Sequence, residues 1–97
     1  MSGYVLSDDA ERDLEDIVGF VAGDSFKAAQ QVLADIEQAM ARLAEMPHMG
    51  FVRRELAEDD VRFWVVHRYF VVYRAEVAPI QILRIISGYR DLVELLT

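Results

Sequence analysis

Four of the five arginines in the apolar back part of the chain could do chemistry: Arg62, Arg74, Arg84 and Arg90. A guanidinium is planar, permanently charged and forked, so it grips carboxylates and phosphates through two parallel hydrogen bonds. Arg84 is the most demanding of the four. It lies inside Ile80-Gln81-Ile82-Leu83-Arg84-Ile85-Ile86, where an unpaired charge is expensive. In a structural role it is tied to a backbone carbonyl or to Asp91. In a functional role Arg62, Trp64 and Arg84 share one sheet face and, with Arg90, offer guanidiniums to a carboxylate- or phosphate-bearing partner. Trp64 and Tyr69 suit such an interface as amphipathic anchors, and suit a core equally well.

Other chemistries have less support. The chain contains no cysteine, no Gly-rich phosphate loop, no HExxH and no GxSxG, so thiolate chemistry and the common hydrolase and nucleotide signatures are excluded. His48 and His67 stand 19 residues apart in separate loops, and a metal site needs three or four convergent ligands, so neither metal nor cofactor is expected. His67 reads as a solvated turn residue. Asp8-Asp9 suits a helix N-terminus, and Glu58-Asp59-Asp60 reads as a solvated loop.

Ninety-seven residues with 54% hydrophobic and 28% charged side chains describe one folded domain, spanning 1–97. The net charge of −7 argues against generic or sequence-specific nucleic-acid binding, which needs surplus cations to neutralise phosphates. The charge is unevenly spread. Residues 1–60 carry 14 acids and 5 bases (−9), whereas residues 61–97 carry 3 acids and 5 bases (+2). Met1-Ser2-Gly3-Tyr4 does not open a secretory signal, and no run of 18 apolar residues is present, so the cytoplasm is the expected compartment.

The positioning elements follow from periodicity. Residues 4–7 form a short strand. Asp8, with Glu11 three residues on, resembles a capping box opening a helix that carries Ala10, Leu14, Ile17, Val18 and Val21, and Gly23 closes it in the left-handed conformation. Asp24 or Ser25 caps a second helix, with Phe26, Ala29, Leu33, Ile36, Met40 and Leu43 as its apolar stripe. The link is so short that the two helices form a hairpin over about 8–46, stopped by Pro47. Residues 61–66, 69–73 and 80–86 are dense in β-branched and aromatic side chains with tight breaks between them, which requires an antiparallel meander over about 61–87. The tail 88–97 can form a terminal helical turn. The expected fold is α+β, β-α-α-β-β-β, with an αα-hairpin packed on one face of a curled antiparallel sheet.

Several runs then align with a known pattern. They are Ala10, Asp13, Leu14 and Ile17; Met46-Pro47-His48-Met49-Gly50; Val61-Arg62-Phe63-Trp64-Val65; Tyr69-Phe70-Val71-Val72-Tyr73-Arg74; and Ile82-Leu83-Arg84-Ile85-Ile86-Ser87-Gly88-Tyr89-Arg90-Asp91. In this order they resemble the ParE toxins of bacterial ParDE type II toxin–antitoxin systems, within the RelE/ParE superfamily. The resemblance implies the same element order, a ParD-like antitoxin that folds a flexible segment onto the toxin, and DNA gyrase as the target of a toxin that is not itself an enzyme. A groove carrying arginines suits an amphipathic, partly acidic segment of that antitoxin, and Arg62, Trp64, Arg84 and Arg90 are the expected target- or antitoxin-binding residues. The RelE branch implies an alternative, a ribosome-dependent mRNA endoribonuclease, for which Arg84, Tyr89 and Arg90 are the candidate catalytic residues. Ser87 stands where relatives often carry His, and Lys27 is the one lysine, both departures from that branch. A further alternative is a non-toxic module that keeps the fold and the antitoxin.

Overall fold

The computed structural model describes residues 3–58 and 60–96. In chain order they form β1 (Tyr4–Leu6), α1 (Asp8–Ala22), α2 (Phe26–Glu45), a 3-10 turn (Pro47–Met49), β2 (Val61–Val66), β3 (Tyr69–Arg74), β4 (Ile80–Ser87) and α3 (Tyr89–Leu96). The order is the expected β-α-α-β-β-β, with the apolar tail wound into about two turns of helix.

The caps differ from the acidic signature. Ser7, not Asp8, is the N-cap of α1: its backbone is extended and its Oγ accepts the Ala10 N–H at 3.0 Å. Asp8, Asp9 and Glu11 occupy the first turn, where carboxylates meet the positive end of the helix dipole. Gly23 is not left-handed. Its φ of −60° keeps it helical, and the chain reverses through Asp24 and Ser25, whose N–H groups both bond the Val21 carbonyl at 3.0 and 2.9 Å. Ser25 then caps α2 by accepting the Ala28 N–H at 3.1 Å. Along α2 the stripe Ala29, Ile36, Ala39, Met40 and Leu43 is buried, but Phe26 opens the helix at the hairpin tip and stays 71% exposed.

The sheet has the order β1-β4-β3-β2. The meander β2-β3-β4 is antiparallel as expected, while β1 runs parallel to β4, so the sheet is mixed. No tight turn joins β1 to β4, and nothing therefore forces that pair antiparallel. The two-residue break between β2 and β3 is made by His67, at φ 56°, and Arg68.

An irregularity between Val72 and Tyr73 decides the faces. Val72 pairs Arg84 but Tyr73 pairs Ile82, which leaves Leu83 as an extra residue in β4. Paired residues share a face, so Arg62, Tyr73 and Ile82 form one row, and Trp64, Val71 and Ile85 another on the same side. Phe63, Val72 and Arg84 lie on the opposite side. The expectation that Arg62, Trp64 and Arg84 share a face is thereby corrected, because the bulge shifts the alternation of β4 by one residue.

Both faces are covered. Ala10, Ile17, Ile36, Met40 and Leu43 of the hairpin pack on Tyr69, Val71, Tyr73, Ile80, Ile82 and Ile85, with Trp64 and Val66 at the margin. On the other face Val61, Phe63, Val72 and Ile86 are closed by Leu56 and by Leu92, which is 1% exposed. The tail is thus a second lid on the sheet and not a loose end.

The loop after α2 is fastened to the sheet from beneath. The fully buried Tyr73 donates its hydroxyl to the Pro47 carbonyl at 2.6 Å and accepts the Gly50 N–H at 2.9 Å. Burial pushes the Tyr73 phenol pKa up, so it stays a neutral donor. Gly50 must lack a side chain here: a Cβ would stand 2.8 Å from Tyr73 Cε1 and 2.9 Å from the Phe63 carbonyl oxygen. The second of those neighbours is backbone and cannot swing aside. Tyr73→Phe leaves a buried N–H and carbonyl unpaired and is expected to cost about 1–3 kcal/mol. Gly50→Ala is expected to cost at least as much, and urea denaturation of both variants measures it.

Candidate functional site

The guanidiniums are mostly consumed inside the fold. Arg84 donates Nε and Nη2 to the two oxygens of Asp13 at 2.7 and 2.9 Å, and the same carboxylate accepts the Ile85 N–H at 2.9 Å. β1 pairs only with residues 80–82 of β4, so the outer edge of β4 beyond them needs other partners. Ser7 supplies the first, with its N–H on the Ile82 carbonyl at 2.9 Å and its hydroxyl on the Leu83 carbonyl at 2.8 Å. Asp13 supplies the next. Arg84 therefore has the structural role considered for it, with Asp13 as its partner in place of Asp91. The hydrogen bonds that Arg84 donates to Asp13 raise the Arg84 pKa further above its already high value.

Arg62 acts as a clamp. Its Nη1 donates to the Gly50 carbonyl at 2.8 Å and more weakly to the His48 carbonyl at 3.4 Å, while its Nε is buried without a hydrogen-bond partner among the described residues. Trp64 is half-buried against the core under the hairpin. Arg90 is the exposed member of the group, its side chain 90% accessible and 3.3 Å from Glu94 one turn on. An exposed pair of that kind is worth only about 0.3–0.5 kcal/mol, so Arg90 is readily given up to a partner.

Arg84, Tyr89 and Arg90 do not converge on one point. Arg84 is held by Asp13. The Tyr89 hydroxyl instead accepts from Arg53 Nη2 at 3.0 Å, with the Arg53 guanidinium 5.6 Å from the ring centre and Phe70 tilted against it at 6.2 Å. Arg53 also pairs with Glu55, which raises the arginine pKa and lowers that of the glutamate. The histidines are not shared either. His48 meets Glu76 and His67 meets Asp35, each at 2.7 Å. His67, expected as a solvated turn residue, thus ties the β2–β3 turn to α2. Of the acidic loop, Asp60 pairs with Arg74, and Asp59 lies outside the described residues.

Among the described residues one concave surface, of about 610 Å³, is lined by Val52, Arg54, Glu55 and Arg62, and two others are chiefly apolar. One, of about 540 Å³, lies between the end of α1 and the edge of the sheet, lined by Asp16, Ile17, Phe20, Val21, Asp24, Arg68, Tyr69 and Ser87. Phe20, 80% exposed on its rim, and Arg68 were not singled out by sequence reasoning, and Phe20 carries no signal except being aromatic on the polar side of its helix. The other, of about 570 Å³, runs between α1 and α2 over an apolar floor of Tyr4, Leu6, Leu14, Val18, Leu33 and Met40. Its rim holds Glu11, Glu15 and Glu37 and no arginine, whereas the other two hollows carry Arg68, and Arg54 with Arg62.

The family described as "ParE toxin of type II toxin-antitoxin system, parDE" matches residues 4–92. A solved chain titled "Chromosomal ParDE TA system from P. aeruginosa" is similar in fold, with a TM-score of 0.73 and 23% identity over 91% of this chain and 97% of that one. Comparison with curated proteins finds no match. Among the described residues no helix is long and apolar enough to cross a membrane.

Two measurements check the polar anchors. Asp13→Ala strands the Ile85 N–H and the Arg84 fork together, and is expected to cost about 3 kcal/mol, against about 0.5 kcal/mol or less for Arg90→Ala, in denaturant unfolding. The Asp35 carboxyl is held below the ordinary aspartate range by hydrogen bonds from His67 and then Gln31. Its stabilising contribution is therefore complete above the ordinary aspartate value and lost as pH falls through the depressed one. His67→Ala should raise the Asp35 titration midpoint, read by carboxyl carbon NMR.

Proposed function

The chain belongs to the ParE toxin family of type II toxin–antitoxin systems, and from that membership we propose that it is the toxin of such a pair, restrained by a ParD-like antitoxin and acting on DNA gyrase. The family match over residues 4–92 carries the reading. The mode of action is binding: the toxin traps the topoisomerase after DNA cleavage and performs no bond-breaking of its own. The fold supports this. An endoribonuclease needs basic groups and a general acid or base gathered around one phosphate, whereas Arg84 and Tyr89 are committed to Asp13 and Arg53. Both gyrase and antitoxin are cytoplasmic, and the toxin works there as part of a heteromeric complex.

Within the proposed contact set of Arg62, Trp64, Arg84 and Arg90, the roles differ. Arg90 is the direct contact, accessible and weakly paired. Arg62 and Arg84 shape the surface from behind by holding the 48–50 loop and the β4 edge. Trp64 contributes its exposed margin.

A supercoiling assay with purified gyrase, ATP and plasmid tests the proposal. Linear DNA should accumulate with added toxin once the reaction is stopped with denaturant, and Arg90→Ala should lower the yield severalfold. Unchanged supercoiling together with blocked cell-free translation would overturn the gyrase reading in favour of a ribonuclease.

A further inference from the structure

The hollow at the far end of α1 differs from the other two in what lines it. Phe20 stands on its rim 80% exposed, one turn beyond the buried Ile17 that lines the same hollow. At the same end of the hairpin Phe26 opens α2 and is 71% exposed. Aromatic rings left in water forgo the gain from burial, and two of them at one tip mark a surface that something covers. Two carboxylates, Asp16 and Asp24, line the helical side of the hollow, and Arg68 lines it from the β2–β3 turn. None of these three charges forms an ion pair among the described residues, so acid and base share one hollow without neutralising each other. The sheet side is held in place. The Gly88 N–H bonds the Arg68 carbonyl at 3.1 Å, and the neighbouring His67 meets Asp35 of α2 at 2.7 Å.

We propose that this hollow is an interface between two copies of this chain related by a two-fold axis, with Phe20 of each copy seated in the hollow of the other. Neither antitoxin nor gyrase is needed for it. A two-fold contact sets one surface against itself, so that surface must supply both halves of every interaction. This one does. Phe20 is the knob, and the hollow of about 540 Å³, with Ile17 and Tyr69 in its lining, is the hole. Asp16 and Asp24 are the acids, and Arg68 is the base that the second copy brings to them, twice over by symmetry. The other two hollows lack this property. The groove between α1 and α2 has acids alone on its rim, so two copies repel there. The hollow at Val52 carries Arg54 and Arg62 with one carboxylate, Glu55, which Arg53 already holds. A net charge of −7 keeps copies apart in general, so pairing has to come from a local match of sign and shape. An exposed aromatic anchor ringed by charges of both signs is such a match.

Sedimentation equilibrium of the full chain reads the pairing directly, at about 0.15 M salt so that distant charges are screened. The average mass should rise toward that of two chains between about 10 μM and about 1 mM. Phe20→Ala, a change at an exposed position, should weaken the pairing about tenfold or more. Charge reversal gives the sharper comparison. Asp16→Arg together with Asp24→Arg makes the rim wholly basic, and Arg68→Glu makes it wholly acidic, so each variant alone should be a monomer. Mixed one to one, the two variants should pair again, because both sets of charged contacts are complementary in the mixed dimer. A variant that had merely misfolded would not be rescued in this way. The doubly reversed variant carries −3 in place of −7, so general repulsion falls and nonspecific association would grow, the opposite of the expected loss. Amide NMR should place the concentration-dependent shifts at Phe20, Arg68 and Ser87. A chain that stays monomeric throughout, reversed variants that pair on their own, or a mixture that stays monomeric overturns the proposal. So does a Phe20→Ala variant that pairs as well as the original. A monomeric chain whose complex with an antitoxin is weakened by Phe20→Ala also overturns it and gives the hollow to that partner.

Discussion

β4 is eight residues long and β1 is three, so five residues of β4 have no strand beside them on one edge. Unpaired backbone groups on such an edge either recruit other chains or cost stability when covered. Here the start of α1 finishes the job. Ser7 spends its N–H and its hydroxyl on two successive carbonyls of β4 while its oxygen caps the helix, and Asp13 closes the edge at Ile85 and holds Arg84 with the same two oxygens. The helical layer is thereby registered on the sheet by polar bonds as well as by the apolar contacts beneath it. The family-like run Ala10, Asp13, Leu14, Ile17 gains a physical meaning: two of its members are buried core, and the aspartate is the edge piece.

A second fastening works at the other side of the sheet. The run Met46-Pro47-His48-Met49-Gly50 is a loop whose carbonyls are claimed by Tyr73 and Arg62, with Gly50 small enough to admit the tyrosine hydroxyl. This explains why arginines on an apolar sheet need not mark a binding face. A guanidinium that serves two backbone carbonyls, or a half-buried carboxylate, lowers the cost of a polar group that the fold already had to place.

Element order, the helical hairpin and the antiparallel meander were legible in the sequence because each rests on a local period. The caps were half legible: a serine one position before two aspartates is masked by the stronger acidic signal, although both serve the same helix end. The faces of the arginines were not legible. They depend on a single extra residue, Leu83, which inverts the alternation of β4 and is set by pairing with β3 and not by β4's own composition. Partners distant in sequence, such as Asp13 for Arg84 or Asp35 for His67, were equally hidden, since nothing local distinguishes them from the nearer Asp91 or from solvent. The acidic groove also escaped, because it forms only when two helices meet, and of the arginines that suggested a positive surface Arg62 and Arg84 are tied into the fold while Arg90 stays exposed.

The strand order has a kinetic side. The last strand made, β4, sits between β1 and β3, and the bonds that seat α1 span 71 to 76 residues of chain. During synthesis β2 and β3 can meet as a hairpin, but β1 has no neighbour and the helices no finished surface until residues 80–87 are available. Assembly is weighted toward late, long-range closure, the slow kind. A ribosome that stops before residue 80 therefore releases a chain with no strand for β1 to join.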